Sequence, residues 1–272
     1  MQPRISIIVP CYNGSKYIRE TLDCLQKQTI VDWECVVVND GSTDNSLEIL
    51  KEYAAKDSRY KYIDKENGGP SIARNIAIAA SSGKYILPLD ADDLIAPSYA
   101  EKAIEYLEMH PETKMVYCIC GYIGERTGIW DAEDYDYDNL LFKNMLFNAG
   151  IFRKSDFDNT IGYNPNMRGG NEDWDFWLTL LNKDDKVYKI PEVLFYYRQH
   201  GISRSTEASE KNFFLKQTMV ENHLEIYKPW LGQMIVWRNE SINYRKELDE
   251  FLNSKKYKLV NLLCSFIGFF RR

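Results

Sequence analysis

Three aspartates follow directly on an apolar segment and are the residues of this chain best suited to do chemistry. Residues 85–89 have the composition of a buried strand, and Asp90, Asp92 and Asp93 come immediately after them. A strand that ends in Asp-x-Asp carries two carboxylates to the carboxyl edge of a sheet, where open α/β folds bind ligands. Such carboxylates can hold one Mg²⁺ or Mn²⁺ together with substrate phosphates. The alternative is an acidic turn that caps the next helix.

Polar turns also follow the first two predicted strands, residues 5–9 and 33–38. Residues 10–14 read Pro-Cys-Tyr-Asn-Gly, which is typical of a strand-to-helix turn, and Tyr12 could stack on a base. Asp40 ends the second strand, where a carboxylate can accept a hydrogen bond from a ring N–H or a ribose hydroxyl. An ordinary loop and a helix cap are the alternatives. The first turn lacks Gly-x-Gly-x-x-Gly, which argues against a dinucleotide-binding dehydrogenase.

A third turn, at residues 67–75, combines glycines with the start of a helix. It reads Asn-Gly-Gly-Pro-Ser-Ile-Ala-Arg-Asn after the predicted strand 60–63. Glycines that lead into a helix N-terminus form a natural anion cradle, and Arg74 could grip phosphate by paired hydrogen bonds. No Gly-Lys-Ser/Thr follows, so this is not a Walker A loop. The alternative is a capping turn with a surface arginine.

The elements that must position these turns alternate regularly in the first half of the chain. Strand patterns at 5–9, 33–38, 60–63, 85–89 and 115–122 enclose helical patterns at 16–28, 45–55, 71–80 and 98–110. This order predicts a mostly parallel sheet with helices on both faces. The regular alternation of strands and helices ends after residue 122. We expect strands at 149–153, 187–190 and 194–198, a helix at 174–182, and a polar helical extension from 207 to 257.

Composition excludes several classes of protein. The net charge of -6 argues against a nucleic-acid binder that works through a broad basic face. Six scattered cysteines with no Cys-x-x-Cys pair, and only three histidines, argue against structural zinc and favour reduced thiols in the cytoplasm. The first strand pattern begins at Ile5, which leaves no room for a signal peptide. No run of about 18 apolar residues is present, so we expect no membrane span.

In order and spacing, the turns resemble the motifs of inverting family-2 glycosyltransferases with the GT-A fold. The motifs are Pro-x-Tyr-Asn, Asp-Gly-Ser-x-Asp, Asn-x-Gly-x-x-x-Ala-Arg-Asn and Asp-x-Asp. The resemblance is strongest over residues 5–109 and is found again at residues 149–181 and 191–205. It implies an α/β fold, with a Rossmann-like, mostly parallel sheet flanked by helices. It also implies transfer of a sugar from a nucleotide diphosphosugar, with UDP favoured, to an acceptor hydroxyl in bacterial cell-surface polysaccharide or glycolipid synthesis. The acceptor is expected to be a sugar, a lipid-linked sugar or a glycan.

The same resemblance implies roles for individual residues. The nucleotide and sugar donor would contact Pro10, Tyr12, Asn13, Asp40, Gly41, Ser42, Asn67, Gly69, Arg74, Asp90, Ala91 and Arg198. A divalent metal, Mn²⁺ or Mg²⁺, would be held by Asp92, Asp90 and His200. Asp173 would be the catalytic base that takes a proton from the acceptor, a role that suits a carboxylate opposite a leaving diphosphate. The acceptor would contact Glu172, Trp174 and Gly170. The alternative for residues 172 and 173 is that acidic side chains simply favour a helix N-terminus.

The domain prediction divides the chain at residue 205. Residues 1–205 would form the catalytic domain, with a nucleotide-binding half at about 1–110 and an acceptor half at about 111–205; residues 206–272 would be a helical extension. Residues 259–270 have an apolar helical face between basic ends, which favours a helix lying on the inner face of an anionic cytoplasmic membrane. The alternative is a helix docked on the core or on the second subunit of a homodimer. A nucleotidyltransferase and a non-catalytic nucleotide-sugar binding module are the rival functions, and no nucleic-acid partner is expected.

Overall fold

A computed structural model describes residues 2–130, 133–200 and 209–254, and the chain divides into two compact units. The first unit spans Met1–His223 and the second spans Leu224–Arg272. The predicted domain boundary at residue 205 lies outside the described residues and stays a prediction. The helix Ser209–Asn222 belongs to the first unit.

The first half of the chain alternates strands and helices as the sequence pattern predicts. The apolar residues of the first helix, Ile18, Leu22 and Leu25, are buried, as helical spacing requires of a single core-facing face. The elements are β1 (Ile5–Cys11), α1 (Ile18–Gln26), β2 (Trp33–Asp40), α2 (Ser46–Lys56), β3 (Tyr60–Lys65), α3 (Pro70–Ala79), β4 (Tyr85–Pro88), β5 (Leu94–Ile95) and α4 (Tyr99–Met109).

The second half contains the expected strands and helix together with shorter elements that no pattern indicated. The short additions there are Gly128–Ile129, Tyr137–Leu140 and Lys154–Asp158, and the first half adds Leu94–Ile95; each has two to five residues. The elements are β6 (Thr113–Gly124), β7 (Gly128–Ile129), α5 (Tyr137–Leu140), β8 (Ile151–Arg153), α6 (Lys154–Asp158), α7 (Glu172–Leu180), β9 (Lys186–Gln199) and α8 (Ser209–Asn222).

The strands form a single sheet in the order β3-β2-β1-β4-β8-β6-β9-β5, with β7 paired to β6. The first four strands in this order are parallel, and β8 is antiparallel to both of its neighbours. All eight residues of β2 are buried, as expected for a parallel strand covered on both faces by helices. The predicted parallel sheet is therefore confirmed in its first half, and the second half is mixed. Because β1, β2, β3 and β4 run the same way, their carboxyl ends meet at one edge.

The two strands predicted at 187–190 and 194–198 are a single strand, β9, and the predicted break is wrong. The pattern breaks at Pro191, which has no N–H to donate to a neighbouring strand. The structure accommodates this residue with a bulge: Ile190 pairs with Cys118 and Val193 pairs with Ile119, so Pro191 and Glu192 fall between paired positions. The strand then continues to Gln199, at the carboxyl edge.

The second unit is helical over its described residues. It contains α9 (Leu224–Tyr227), a 3₁₀ turn (Lys228–Trp230) and the 23-residue α10 (Leu231–Asn253). None of the helices in the described ranges is long and apolar enough to cross a membrane. The apolar segment 259–270 with its basic ends lies outside the described residues. The cysteines of the described part, Cys11, Cys24, Cys35, Cys118 and Cys120, are buried and unbridged.

Candidate active site

The turns after β1 and β2 are tied together by hydrogen bonds between their backbones and side chains. Asn13 adopts a left-handed conformation with φ 50°, and its side-chain oxygen accepts from the N–H of Thr43 at 2.8 Å. In return, the N–H of Asn13 donates to the hydroxyl of Ser42 at 2.9 Å. Asn13 and Ser42 therefore shape the edge of the site, and Tyr12 beside them is half exposed, at 51%.

Asp40 holds the glycine turn that precedes α3. Its carboxylate accepts from the backbone N–H groups of Gly68 and Gly69, at 2.9 and 2.8 Å, and from the ammonium of Lys65 at 2.5 Å. The Asn67 amide donates to the Asp40 carbonyl at 2.9 Å. Only 3% of Asp40 is exposed. The structure thus gives Asp40 a full set of protein partners, and its predicted contact with a base stays a prediction.

Gly41 follows Asp40 and has no room for a side chain. Its φ is +72°, and a Cβ at this position would lie 2.7 Å from the backbone nitrogen of Asn67. The close approach of the second and third turns therefore requires glycine here. Gly41 and Ser42 support these turns and do not line the cleft described below.

Arg74 is buried, at 2% exposed, and bridges two acidic residues that are far apart in the chain. Its guanidinium donates to Asp90 at 2.6 Å and to Glu172 at 3.0 Å. Burial alone would lower the pKa of Arg74, but the two carboxylates outweigh burial and raise the pKa above its usual value. The bridge joins the end of β4 to the first turn of α7. Its predicted contact with the nucleotide stays a prediction.

Asp92 and His200 meet at the mouth of the β4 turn, with His200 Nε2 2.7 Å from Asp92 Oδ2. Burial, and then the nearby charge of Asp90, raise the pKa of Asp92. Asp93 behind it is 1% exposed and accepts from the N–H of Arg198 at 2.8 Å. The Arg198 guanidinium also donates to the Asp92 carbonyl at 2.7 Å. The strand β9 therefore closes over the Asp-x-Asp turn and brings a histidine and an arginine to it.

The side chains at this turn fit a divalent cation. Within the described ranges, no group of three or more His, Cys, Asp or Glu side chains is arranged to hold a metal by itself. Mg²⁺ is usually bound by one or two carboxylates with substrate phosphates completing the shell, so a full protein cage is not required. Burial is the main cause of the raised pKa of Asp92, followed by the charge of Asp90, so a cation at this turn would favour the ionised carboxylate. Asp92 and His200, with Asp90 nearby, are suitable ligands.

Asp173 lies in the first turn of α7 and is held by two hydrogen bonds. The N–H of Trp174 donates to Asp173 Oδ1 at 2.8 Å, and the Asn144 amide approaches Oδ2 at 3.4 Å. Burial, followed by the charge of Glu172, raises the pKa of Asp173 to about 6. A carboxylate with such a pKa is ionised at neutral pH and is a better base than an ordinary aspartate.

A cleft with a volume of about 1000 Å³ brings most of the predicted site residues together. Trp174 is not among its lining residues. It is 4% exposed and its indole N–H donates to the Leu140 carbonyl at 2.7 Å, so its predicted acceptor contact stays a prediction. The predicted residues that line the cleft are Pro10, Tyr12, Asn13, Asp40, Asn67, Gly69, Arg74, Asp90, Ala91, Asp92, Gly170, Glu172, Asp173, Arg198 and His200.

The structure adds residues that the sequence analysis missed. Asn144 and Asn148 line the cleft, and the Asn148 amide approaches Asp90 Oδ1 at 3.3 Å. In the sequence, these two asparagines are marked only as the two polar residues of the otherwise apolar segment 144–152. Tyr17 stacks on His200 with a centroid distance of 4.9 Å, and the Arg198 guanidinium lies 4.9 Å from the centre of the Tyr17 ring. Nothing in the sequence connects Tyr17 with residues 198–200.

Comparison with known proteins identifies the family of this chain. The sequence model of the family described as Glycosyl transferase family 2 matches residues 6–175. The uncharacterized glycosyltransferase EpsJ of Bacillus subtilis is 43% identical over 227 residues, which cover 74% of this chain and 62% of EpsJ. Chondroitin synthase of Pasteurella multocida is 27% identical over 259 residues, 94% of this chain and 26% of the synthase.

Among solved structures, S. aureus TarS residues 1–349 in complex with UDP-GlcNAc superimposes with a TM-score of 0.68 at 24% identity. The match covers 80% of this chain and 66% of the TarS chain. This likeness establishes the fold, and the predicted GT-A fold class is confirmed.

Proposed function

The chain belongs to glycosyl transferase family 2, and we propose that it moves a sugar from a nucleotide diphosphosugar to an acceptor hydroxyl with inversion at the anomeric carbon. The observation that carries the proposal is the combination in one cleft of Asp173, with a pKa raised to about 6, and the Asp92–His200 pair. Single-displacement transfer from a diphosphate needs a base for the acceptor hydroxyl and positive charge for the leaving group; Asp173 suits the first need, and a cation at the Asp92–His200 pair would meet the second.

In this mechanism Asp173 is the general base. Its carboxylate takes the proton of the acceptor hydroxyl while the acceptor oxygen bonds to the anomeric carbon. The bond from that carbon to the diphosphate oxygen breaks, and its electron pair leaves with the nucleoside diphosphate. A single attack from the side opposite the leaving group inverts the anomeric configuration. A positioned base of this kind contributes roughly 10²–10⁴ in rate.

Asp92, His200 and Asp90 would hold the divalent cation, Mn²⁺ or Mg²⁺. When bound, the cation neutralises charge on the leaving diphosphate as a Lewis acid. Arg198, fixed by Asp92 and Asp93, would add a second positive charge beside the same phosphates. Asp40 and Tyr12, at the ends of neighbouring strands, are the residues we assign to the base and ribose end of the nucleotide.

We assign UDP as the nucleotide, and synthesis of a cell-surface polysaccharide or glycolipid as the setting. The support is indirect: TarS binds UDP-GlcNAc in its solved complex, and chondroitin synthase is itself a polysaccharide synthase by name. We assign a hexosyl group as the transferred sugar, and the N-acetylglucosamine of the UDP-GlcNAc bound by TarS is consistent with this assignment.

The direct test is release of nucleoside diphosphate from UDP-, GDP- and dTDP-sugars in the presence of Mn²⁺. We expect turnover with at least one UDP-sugar, loss of turnover in EDTA, and loss of both turnover and Mn²⁺-dependent donor binding in Asp92→Asn. Turnover that persists in EDTA would refute the cation, and retention of the anomeric configuration in the product would refute single displacement.

Two rival functions predict different products. A nucleotidyltransferase would form or release pyrophosphate, and a non-catalytic binding module would be stabilised by nucleotide sugars without consuming them. Thermal-shift measurements with each nucleotide sugar would detect binding in both cases, since a ligand of the folded state raises the melting temperature. Release of nucleoside diphosphate together with a new glycoside separates the proposed function from both.

The second unit supports a further part of the proposal, contact with a membrane surface. Residues 224–272 carry nine Lys and Arg against five Asp and Glu, whereas the whole chain has a net charge of -6. In α10, Leu231, Ile235 and Trp237 are 45%, 65% and 40% exposed. The excess positive charge lies in residues 255–272, which carry five Lys and Arg and no Asp or Glu, and the apolar helical face expected at 259–270 would suit the interface of an anionic membrane.

Sedimentation with vesicles tests this contact. The full chain should sediment with anionic vesicles at low salt and be released as salt increases, because each basic residue near the surface contributes about 1 kcal/mol. Removal of residues 255–272 should weaken sedimentation while turnover of soluble donor is retained. If the full chain stays in solution, the unit would instead pack on the protein or on a second copy, and the truncated chain should then melt at a lower temperature.

A further inference from the structure

One part of the cleft lining is aromatic and has no place in the chemistry described so far. Its members are Tyr122, Trp130, Phe147, Phe195 and Tyr197, here called the aromatic wall. Phe147 and Phe195 are buried and stack with a centroid distance of 4.6 Å. Trp130 lies 6.1 Å from Phe147, and Tyr122 meets Tyr197 edge to face at 6.3 Å. The outer rings, on Tyr122, Trp130 and Tyr197, are half-buried.

Three of the five residues of the aromatic wall, Tyr122, Phe195 and Tyr197, lie on paired strands of the sheet, which makes this part of the wall rigid. Tyr122 and Tyr197 are paired positions of β6 and β9. Trp130 directly follows β7, and its N–H donates to the carbonyl of Cys120 on β6 at 2.8 Å. Rings fixed by strand pairing lose little freedom when a ligand binds, so their contact area contributes efficiently to affinity.

The wall is continuous with the residues that surround the proposed base. Phe147 lies between Asn144 and Asn148 in the chain, and these two amides approach Asp173 and Asp90 at 3.4 and 3.3 Å. Burial, with the charges of Asp93, Asp90, Asp92 and Asp173, raises the pKa of Tyr197. The Tyr197 phenol therefore lies within the field of the acidic cluster and stays neutral, able to donate and accept hydrogen bonds.

We propose that Trp130 and Tyr197 bind the acceptor, and that the acceptor is a sugar in its ring form. This inference rests on the proposed function and names its acceptor class. A pyranose has an apolar C–H face that suits an aromatic ring, and a rim of hydroxyls that suits the Asn144 amide and the Tyr197 phenol. An open-chain polyol phosphate has no such face and adds negative charge beside Asp90 and Asp173. A lipid chain would leave the amides and the phenol unpaired.

The wall would hold the acceptor so that one hydroxyl faces Asp173. Transfer then proceeds as above: the hydroxyl proton passes to the Asp173 carboxylate, the acceptor oxygen bonds to the anomeric carbon, and the diphosphate leaves. Trp130 touches the acceptor alone in this arrangement. Its removal should therefore weaken acceptor binding without a matching effect on the donor.

Acceptor kinetics with defined probes test the inference. The probes are methyl glycosides of glucose, galactose, N-acetylglucosamine and glucuronic acid, compared with glycerol phosphate and ribitol phosphate. In Trp130→Ala, the KM for the best glycoside should rise roughly 10-fold or more, as for removal of an aromatic anchor. The KM for the donor, measured by its slow hydrolysis, should change less than about threefold. Trp130→Tyr should retain most of the acceptor affinity, because it keeps a ring.

Tyr62→Ala is the matched control, since Tyr62 is an exposed aromatic on β3 that does not line the cleft. It should leave both KM values unchanged. A rise in donor KM with unchanged acceptor KM in Trp130→Ala would overturn the inference, since the wall would then bind the donor sugar. Preference for a polyol phosphate, or donor hydrolysis with no glycoside accepted, would also overturn it. Absence of donor turnover altogether would instead refute the proposed function.

Discussion

Glu34 and Asp92 are both carboxylates at the ends of the parallel strands, Glu34 at the amino edge of the sheet and Asp92 near the carboxyl edge. Glu34 accepts hydrogen bonds from Ser6 Oγ, the Ser82 N–H and the Lys61 ammonium, each at 2.6 Å. Burial alone would raise the pKa of Glu34, but these partners outweigh it and lower the pKa to about 2. Asp92 shows the opposite result, because burial and Asp90 raise its pKa.

The comparison distinguishes a carboxylate that stabilises the fold, Glu34, from a carboxylate that is placed to bind a ligand, Asp92. At the amino edge, the protein supplies all the partners that an ionised carboxylate needs, so the charge stabilises the fold. At the carboxyl edge, burial raises the pKa of Asp92 and of Asp173, so a bound cation or substrate is expected to stabilise their ionised forms.

The largest expected effect is on catalysis at the carboxyl edge. Asp173→Asn keeps the size and shape of the side chain and removes the base, so kcat should fall by roughly 10²–10⁴ while donor affinity changes little. Steady-state rates at saturating donor and acceptor measure this loss. Glu34→Gln, the same chemical change at the amino edge, is the control and should leave kcat per folded molecule unchanged. Near-normal kcat in Asp173→Asn would assign the base elsewhere, with Glu172 the next candidate.

The second effect is on stability at the amino edge. Glu34→Ala removes a buried carboxylate and leaves the Ser6 hydroxyl proton and the Ser82 N–H without their acceptor, so the free energy of unfolding at pH 7 should fall by roughly 3 kcal/mol. The folded pKa of Glu34 is below its ordinary value, so this stability is complete above about 4.5 and is lost as the pH falls through about 2. Urea unfolding at pH 7 measures the difference.

Glu52 provides the matched control for this prediction. It also has a pKa lowered to about 2, by Arg19 and Lys56, but its side chain is 38% exposed. Because solvent screens such surface pairs, Glu52→Ala should cost much less stability than Glu34→Ala. Equal losses in the two variants would mean that burial of Glu34 contributes nothing.

The third effect is on the pH dependence of the rate. Protonation of Asp173 below its pKa of about 6 removes the base. The value of kcat/KM should therefore be flat above about pH 7 and roughly tenfold lower at pH 5. Rates measured at fixed saturating Mn²⁺ in overlapping buffers give the profile. A rate that stays constant down to pH 4.5 would contradict the raised pKa of Asp173.

The smallest expected effect is a gain in stability from loss of the base. Because the folded pKa of Asp173 is above its ordinary value, the stability that this group contributes is present below about 3.8 and is lost as the pH rises through about 6. Asp173→Asn should therefore melt at a higher temperature than the parent protein at pH 8, by an amount equivalent to roughly 1 kcal/mol, and the gap should close toward pH 4. A lower melting temperature at pH 8 would contradict strain at this position.

Most of the fold follows from local patterns that the sequence displays. Alternating strand and helix periods predict the parallel half of the sheet, and the order of the turns predicts that residues 10–14, 40–44, 67–75 and 90–92 meet at one edge. The prediction of two separate strands on either side of Pro191 was wrong. The pairing with β6 that continues β9 through the bulge is a long-range property, which the local pattern does not contain. Similarly, β5 and β7 have two residues each and exist only through their partners.

The sequence by itself determined the types and the order of the reactive groups. These groups follow the ends of strands, and each strand end is set locally, by where the apolar pattern stops and the turn residues begin. Only the tertiary structure decided which groups touch. Arg74 meets Glu172 across 98 residues of chain. Asn144 and Asn148 reach the acidic residues because β8 lies between β4 and β6 in the sheet. Pairings of this kind depend on strand order and burial, and no spacing within one segment encodes them.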